Sequence, residues 1–302
     1  MRSKFKFFLT GLLFCSCATS KYVDKEQAPA EFSFIFMTDI HIQPELGAVT
    51  AFKKAIDTAN KLNADFVLTG GDLVKDVLRG NPARADSLFQ LYKQTITGFK
   101  MPVYNVIGNH ELFGIYAGSN ISPKHPDYKY GMYKRYLGDT YYSFNHKGWH
   151  FIALNSVDEK HQQYIGIIGE DQKAWLKKDL EGVDPKTPIA IALHIPIISV
   201  QHQIHPKTIP EAPNTLWVSN RNEILDMFKE HNLKLVLQGH LHWVEDITVS
   251  GKTRFITGGA IAGRPSWKGT ATGEEGFMVI KIKNQEISTE YIDYGWETQF
   301  RD

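Results

Sequence analysis

The tetrapeptide Gly239-His240-Leu241-His242 closes the apolar run Lys234-Leu-Val-Leu-Gln238. A glycine lets the chain turn sharply where a strand ends, and two imidazoles then project on either side of Leu241. Each buried imidazole needs a hydrogen-bond partner, so a His-x-His pair rarely serves packing. Histidine is also the commonest metal-binding side chain. Alone, the pair reads equally well as metal ligands or as ordinary histidines. Four more segments share its form, an apolar run ending in metal-type donors. Phe34-Ile-Phe-Met-Thr ends in Asp39-Ile-His41, and Phe66-Val-Leu-Thr ends in Gly70-Gly71-Asp72. Val103-Tyr-Asn-Val-Ile ends in Gly108-Asn109-His110-Glu111, and Ile189-Ala-Ile-Ala-Leu ends in His194.

These donors need strands to carry them and helices to cover the strands. Strands are expected at Phe32–Met37, Phe66–Leu68 and Val103–Ile107, with helices near Gly47–Leu62 and Ala83–Ile96. In the first helix Phe52, Ala55, Ile56, Ala59 and Leu62 recur at helical spacing. Alternating strand and helix implies parallel pairing and a sheet covered on both faces. Ligands then gather at the carboxyl ends of the strands, where all five segments place theirs. The stretch Leu112–Gly138 is rich in Tyr and poor in periodicity; it reads as packing over a sheet edge, with a wall of the donor pocket as the alternative because it follows Glu111. Strands are expected again at Tyr141–Asn145, His150–Leu154 and Ile189–Leu193, with a helix at Asp171–Leu180 between the last two. A long loop runs from Ile195 to Val218. Asn220 and Glu223 have the spacing of a capping box for a helix Arg221–His231. The chain closes on short strands, Trp243–Val249, Thr253–Thr257, Phe277–Ile282 and Glu286–Tyr291, with hairpins marked by Gly251-Lys252 and Lys283-Asn284. The expected class is α/β, a four-layer α/β/β/α sandwich with two mixed β-sheets, one from each half of the chain.

The chain has 302 residues, 42% hydrophobic and 22% charged, an ordinary globular composition. A formal net charge of +1 without a long basic run argues against a broad phosphate-tracking face, so no nucleic-acid partner is expected. Arg2, Lys4 and Lys6 precede the apolar Phe7–Phe14, which is too short to span a bilayer comfortably. The only cysteines, Cys15 and Cys17, follow directly. Phe14-Cys15-Ser16-Cys17 resembles a bacterial lipobox, with Phe14 where Leu is usual. That resemblance implies a lipoprotein signal segment at 1–17, a lipid on Cys17, a flexible tether at 18–31 and a single domain at 32–302. It also implies an exported bacterial protein anchored to a membrane, on its periplasmic or cell-surface face. The alternative is an ordinary signal peptide that is removed.

The ordered series DxH, GD, GNHE, H and GHxH, from Asp39 to His242, resembles the calcineurin-like metallophosphoesterase superfamily. The resemblance implies one metal held by Asp39, His41, Asp72 and His242. A second would be held by Asp72, Asn109, His194 and His240, with Asp72 bridging. Mixed oxygen and nitrogen donors suit Mn, Fe or Zn better than Ca. Two such ions clamp the attacking and leaving oxygens of an in-line displacement. The expected activity is hydrolysis of a small phosphate monoester or diester, with a bridging hydroxide as nucleophile. In the family the histidine matching His110 contacts the phosphate and helps protonate the leaving oxygen. Asp76 is the first candidate to orient it and Glu111 the second. Lys75 stands where purple acid phosphatases carry a Tyr, and Asp72-Leu-Val-Lys-Asp-Val lacks the Asp-Arg-Gly of the Ser/Thr protein phosphatases. The motif spacing is closer to bacterial phosphodiesterase-like members. The other readings are an extracytoplasmic nuclease on the same fold and a metal-free binding or scaffold module. His125, His146, His161, His202 and His205 read as surface or loop residues, with substrate contact as the alternative for His202 and His205 because they lie in the loop after His194. Gly258–Gly263 reads as tight turns beside the metals, and Arg264 is a candidate phosphate contact.

Overall fold

Phenylalanines alternate along Phe32, Phe34 and Phe36 while Ile35 and Met37 point the other way, a period of two that buries both faces of one strand. The computed structural model describes residues 31–200, 215–261 and 275–296. Cys15, Cys17, the segment 1–17, the tether up to residue 30, His202, His205 and Arg264 lie outside them. Strand β1 (Glu31–Met37), β2 (Phe66–Thr69) and β3 (Val103–Tyr104) pair in parallel. The hairpin β12 (Gly276–Lys283) and β13 (Glu286–Asp293) joins β1 antiparallel and completes a five-stranded sheet in the order β13-β12-β1-β2-β3. A second sheet runs β10-β11-β9-β8-β5-β4. Its strands are β4 (Tyr142–His146), β5 (Trp149–Ala153), β8 (Pro188–Ala192), β9 (Asn232–Gln238), β10 (Glu245–Val249) and β11 (Thr253–Thr257). Strands β5, β8, β9 and β11 are parallel, with antiparallel strands at both edges. A separate hairpin pairs β6 (Val157–Lys160) with β7 (Gln163–Gly166).

The inner faces of the two sheets meet in one apolar cluster. Phe34 stacks on Phe66 at 4.9 Å and meets Phe151 of the facing sheet edge-on at 5.4 Å. Truncating one such ring to Ala costs about 3–5 kcal/mol. The outer faces pack under helices α1 (Ala48–Ala59), α2 (Pro82–Ile96), α3 (Gly131–Leu137), α4 (Glu170–Glu181) and α5 (Arg221–Met227). The α/β/β/α layering with two mixed sheets is therefore as expected. Among the described residues no helix is long and apolar enough to cross a membrane.

The β6–β7 hairpin was not expected, β3 ends at Tyr104 rather than Ile107, α5 ends at Met227 rather than His231, and three further details differ from the expectation. The sheets do not divide the chain into halves, because β12 and β13 return to the N-terminal sheet. The Tyr-rich stretch contains α3, whose Tyr133 is buried with its hydroxyl donating to the Asn105 carbonyl at 3.2 Å. Asn220 caps α5 without a capping box: its side chain is taken up by Ile168, accepting from N–H and donating to C=O, while Glu223 pairs with Lys173.

Candidate metal centre

Each carboxylate gives one oxygen to hydrogen-bond donors of the surrounding loops and turns the other to the histidines. Asp39 Oδ2 accepts from Thr38 Oγ1 at 2.7 Å and from the His240 N–H at 3.0 Å. Its Oδ1 faces His242 Nε2 at 3.0 Å. Asp72 Oδ1 accepts the His110 N–H at 2.9 Å. Its Oδ2 lies among three imidazoles, 3.1 Å from His194, 3.7 Å from His41 and 3.8 Å from His110. Asp39, His41 and Asp72 sit just past the ends of β1 and β2, and His194 and His240 just past β8 and β9. The opposed sheets thus supply donors to one pocket. Two contacts close the gap between them, His194 Nδ1 to the Gly70 carbonyl at 2.7 Å and the His240 N–H to Asp39 Oδ2 at 3.0 Å.

Backbone carbonyls also set the histidine tautomers. With Nδ1–H donating to Gly70, His194 turns Nε2 toward Asp72 Oδ2 and toward Asn109 Oδ1 at 3.0 Å. His240 Nε2 donates to the Thr215 carbonyl at 2.9 Å, which leaves Nδ1 as its donor atom. His41 Nε2 and His242 Nε2 stand 3.2 Å apart. Two nitrogens bound at ~2.1 Å to one ion at tetrahedral or octahedral angles would be separated by about 3.0–3.4 Å. The donor atoms of Asp39, His41, Asp72 and His242 all lie within 4.8 Å of one another, as do those of Asp72, His194 and His240. So many lone pairs facing one another require a cation among them, either a proton or a metal. The residues fit a metal.

The electrostatics follow from that crowding in the metal-free protein. Burial works against ionisation of Asp39 and Asp72, yet His242 beside the first and His194 beside the second hold both well below the usual carboxylate range. Burial lowers His41 to about 4 and His240 to about 3. Burial also opposes charge on His194, but Asp72 outweighs it and raises the group to about 9.

Loops with little room for variation hold the pocket. A Cβ on Gly108 would stand 2.2 Å from Asp72 N and 2.3 Å from its Oδ1. Glu111 is fully buried and accepts from the N–H groups of Asp72 at 3.0 Å, Val74 at 3.0 Å and Gly108 at 2.7 Å. Burial, with Asp72 nearby, raises its pKa to about 8. Glu111 is thus a brace for two donor loops. Asp76 Oδ1 accepts the Leu78 N–H at 2.8 Å. Gln238 fixes the loop after His194, accepting from Ile197 and Ile198 N–H at 2.7 and 3.1 Å. All seven expected donors come together here, with His110 at their edge. Sequence reasoning missed Thr215 and Tyr164, a residue of β7 whose ring stands 6.0 Å from that of His240. A main-chain acceptor and a lone aromatic in a polar strand leave no pattern to find. Of the spare histidines, His125 and His161 are exposed, whereas His146 is partly buried against Phe32 and Phe66.

Residues 32–244 match the profile of the calcineurin-like phosphoesterases, and the chain belongs to that family of phosphoester hydrolases. It is 25% identical over 231 residues to a protein of Moraxella catarrhalis named a probable cyclic nucleotide phosphodiesterase, covering 72% of this chain and 73% of that one. It is 27% identical over 197 residues to the bovine serine/threonine-protein phosphatase CPPED1, covering 63% of this chain and 58% of that protein. Among solved structures, a dimetal phosphatase from Danio rerio superposes with a TM-score of 0.57 at 16% identity, over 85% of this chain and 98% of that one. That last likeness bears on the fold alone.

Proposed function

We propose that the protein hydrolyses phosphate esters at a dinuclear centre of divalent ions such as Mn, Fe or Zn, with Asp72 shared between them. The supporting observation is that Asp72 belongs to both donor groups and turns one oxygen to histidines of each. Bound there, the ions would polarise the phosphoryl group and lower the pKa of water. Asp39, His41 and His242 would hold one ion, and Asn109, His194 and His240 the other. Asp39 and Asp72 offset only two of the four positive charges, so the pocket stays attractive to phosphate. His110 is fixed by its N–H to Asp72 while its side chain reaches the surface, 12% exposed. From there its imidazole can contact the phosphate and give a proton to the leaving oxygen. Lys75, half-buried and close enough to Asp76 and Asp72 to feel both carboxylates, adds a cation at the rim. The test is a panel of monoesters, cyclic diesters and linear diesters offered to metal-loaded protein. Turnover of at least one class, abolished by chelation and restored by added metal, is expected. No turnover of any ester by protein shown to carry two ions would contradict the proposal.

A further inference from the structure

The pocket so read takes the phosphate, and one side of its mouth is aromatic. Tyr164 on β7 stands edge-on to His240, with ring centroids 6.0 Å apart and planes at 85°. Tyr164 is only partly buried, as is His240 beside it, whereas Asp72 and His194 deeper in the pocket are closed off almost completely. The hairpin that carries Tyr164 is pinned in place. Gly166 C=O accepts from both the N–H and the hydroxyl of Ser219, each at 2.8 Å. That ties β7 to the segment whose Thr215 carbonyl orients His240. Tyr116 approaches from a different part of the chain, the segment after Glu111. Burial raises the pKa of Tyr164, and Tyr116 and Asp72 are near enough to raise it further. Burial raises that of Tyr116 as well, with Asp76 and Asp72 close by. Two phenols from unrelated segments thus lie within electrostatic reach of the shared carboxylate. The Arg79 guanidinium lies over the Tyr116 ring at 5.7 Å.

The geometry points to an aromatic wall at Tyr164 that receives a flat aromatic group carried by the ester, a nucleobase or an aryl ring. This rests on the reading of the metal centre as a phosphate site. A ring attached to the bound phosphate would lie where Tyr164 offers a face for stacking, and an aliphatic ester would leave that face unused. Arg79, over the Tyr116 ring, and Lys75, near Asp72, disfavour a cationic substituent, which an aromatic wall could otherwise attract.

The experiment is a calorimetric titration of metal-loaded protein with phosphonates whose CH2 replaces the ester oxygen, so that nothing can be hydrolysed. The probes are the analogues of AMP and of ribose 5-phosphate, together with benzylphosphonate and ethylphosphonate. In each pair the ring-bearing compound should bind about 5- to 150-fold tighter, the range for stacking one base on one aromatic side chain. Tyr164→Phe should keep that preference, and Tyr164→Ala should reduce it toward unity at unchanged metal content. If Tyr164→Ala fails to hold metal, Tyr164→Leu replaces it, keeping bulk without a ring. Equal binding within the pairs by the wild-type protein would overturn the inference, as would a preference that survives in the Ala or Leu variant or vanishes in the Phe variant. Turnover of esters without a ring preference would sink this inference alone. A ring preference without turnover would sink the hydrolytic reading and leave the wall standing.

Discussion

Asp39, His41, Asp72, His240 and His242 all adopt left-handed backbone conformations, with φ of 54°, 46°, 52°, 74° and 59°. Asp, Asn and His tolerate this region better than most residues, yet each instance costs about 1–2 kcal/mol. Five such residues in one pocket mark a backbone bent to aim donors, with the strain carried by the packed sheets beneath. The same residues make metal binding depend on pH. A protonated imidazole cannot ligate, and His194 in the metal-free protein holds its proton up to about 9. His41 and His240, at about 4 and about 3, are already neutral and add no dependence near neutrality. Affinity for Mn²⁺ should therefore rise about tenfold per pH unit between pH 6.5 and 8 and level off near 9, with release of about one proton on binding. Calorimetry in buffers of different ionisation enthalpy measures both, and pH-independent affinity would contradict the assignment of His194. His110 should behave differently, because Asn109 is the donor from that loop. His110→Ala should retain both ions and lose about 10²–10⁴ in kcat. The loss should be far larger on alkyl than on nitrophenyl esters, since a phenolate leaves without help. Kinetics on both esters with metal analysis decides it; equal losses would leave His110 a phosphate contact only.

The donor loops carry their own constraints. Gly108 has an ordinary negative φ of −111°, so backbone freedom is not why it is glycine. The space is filled by Asp72, and Gly108→Ala must push that residue away. A loss of metal affinity of at least 10–100-fold is expected, the scale seen when supporting contacts to ligands are removed, with the fold intact by circular dichroism. Wild-type affinity in that variant would show that the loop has room. At this scale much was legible in the sequence. Four of the five apolar runs that end in donors are strands in the structure, because burial on both faces leaves little but apolar residues until the chain reaches the pocket; the fifth, Val103–Ile107, is a strand only over Val103–Tyr104. The β6–β7 hairpin was not legible. Its strands carry Asp158, Glu159, Lys160 and Gln163 without apolar alternation. Its turn residues His161 and Gln162 take φ of 55° and 59°, in the manner of a type I′ turn, without the Asn-Gly or Asp-Gly that normally signals one. The cap of α5 was misjudged because residue types at the right spacing do not say which partner a side chain prefers. Asn220 found Ile168 and Glu223 found Lys173.

For the whole molecule, the sequence showed strands and layers but not which sheet receives the last two strands. Alternation in β12 puts Met278, Ile280 and Ile282 on the face shared by the sheets and Phe277 and Val279 on the helix side. That pattern fits a central position in either sheet, and the pairing of Glu31–Phe36 with Met278–Lys283 decides it. Without β12, strand β1 would be an open apolar edge beneath the metal pocket, the kind that pairs with other chains. Deleting residues 276–302 should therefore give insoluble or aggregated protein in size-exclusion chromatography. A monomeric, metal-binding product would mean that the N-terminal sheet stands without its C-terminal hairpin.

The central claim is that two ions share Asp72, and metal stoichiometry tests it most directly. Protein reconstituted with Mn²⁺, freed of excess ion and weighed by native mass spectrometry should carry two ions per chain. Asp72→Asn should carry one or none and lose turnover, while remaining folded. A wild-type protein that saturates at a single ion, or an Asp72→Asn variant that keeps two ions and normal turnover, would contradict the account.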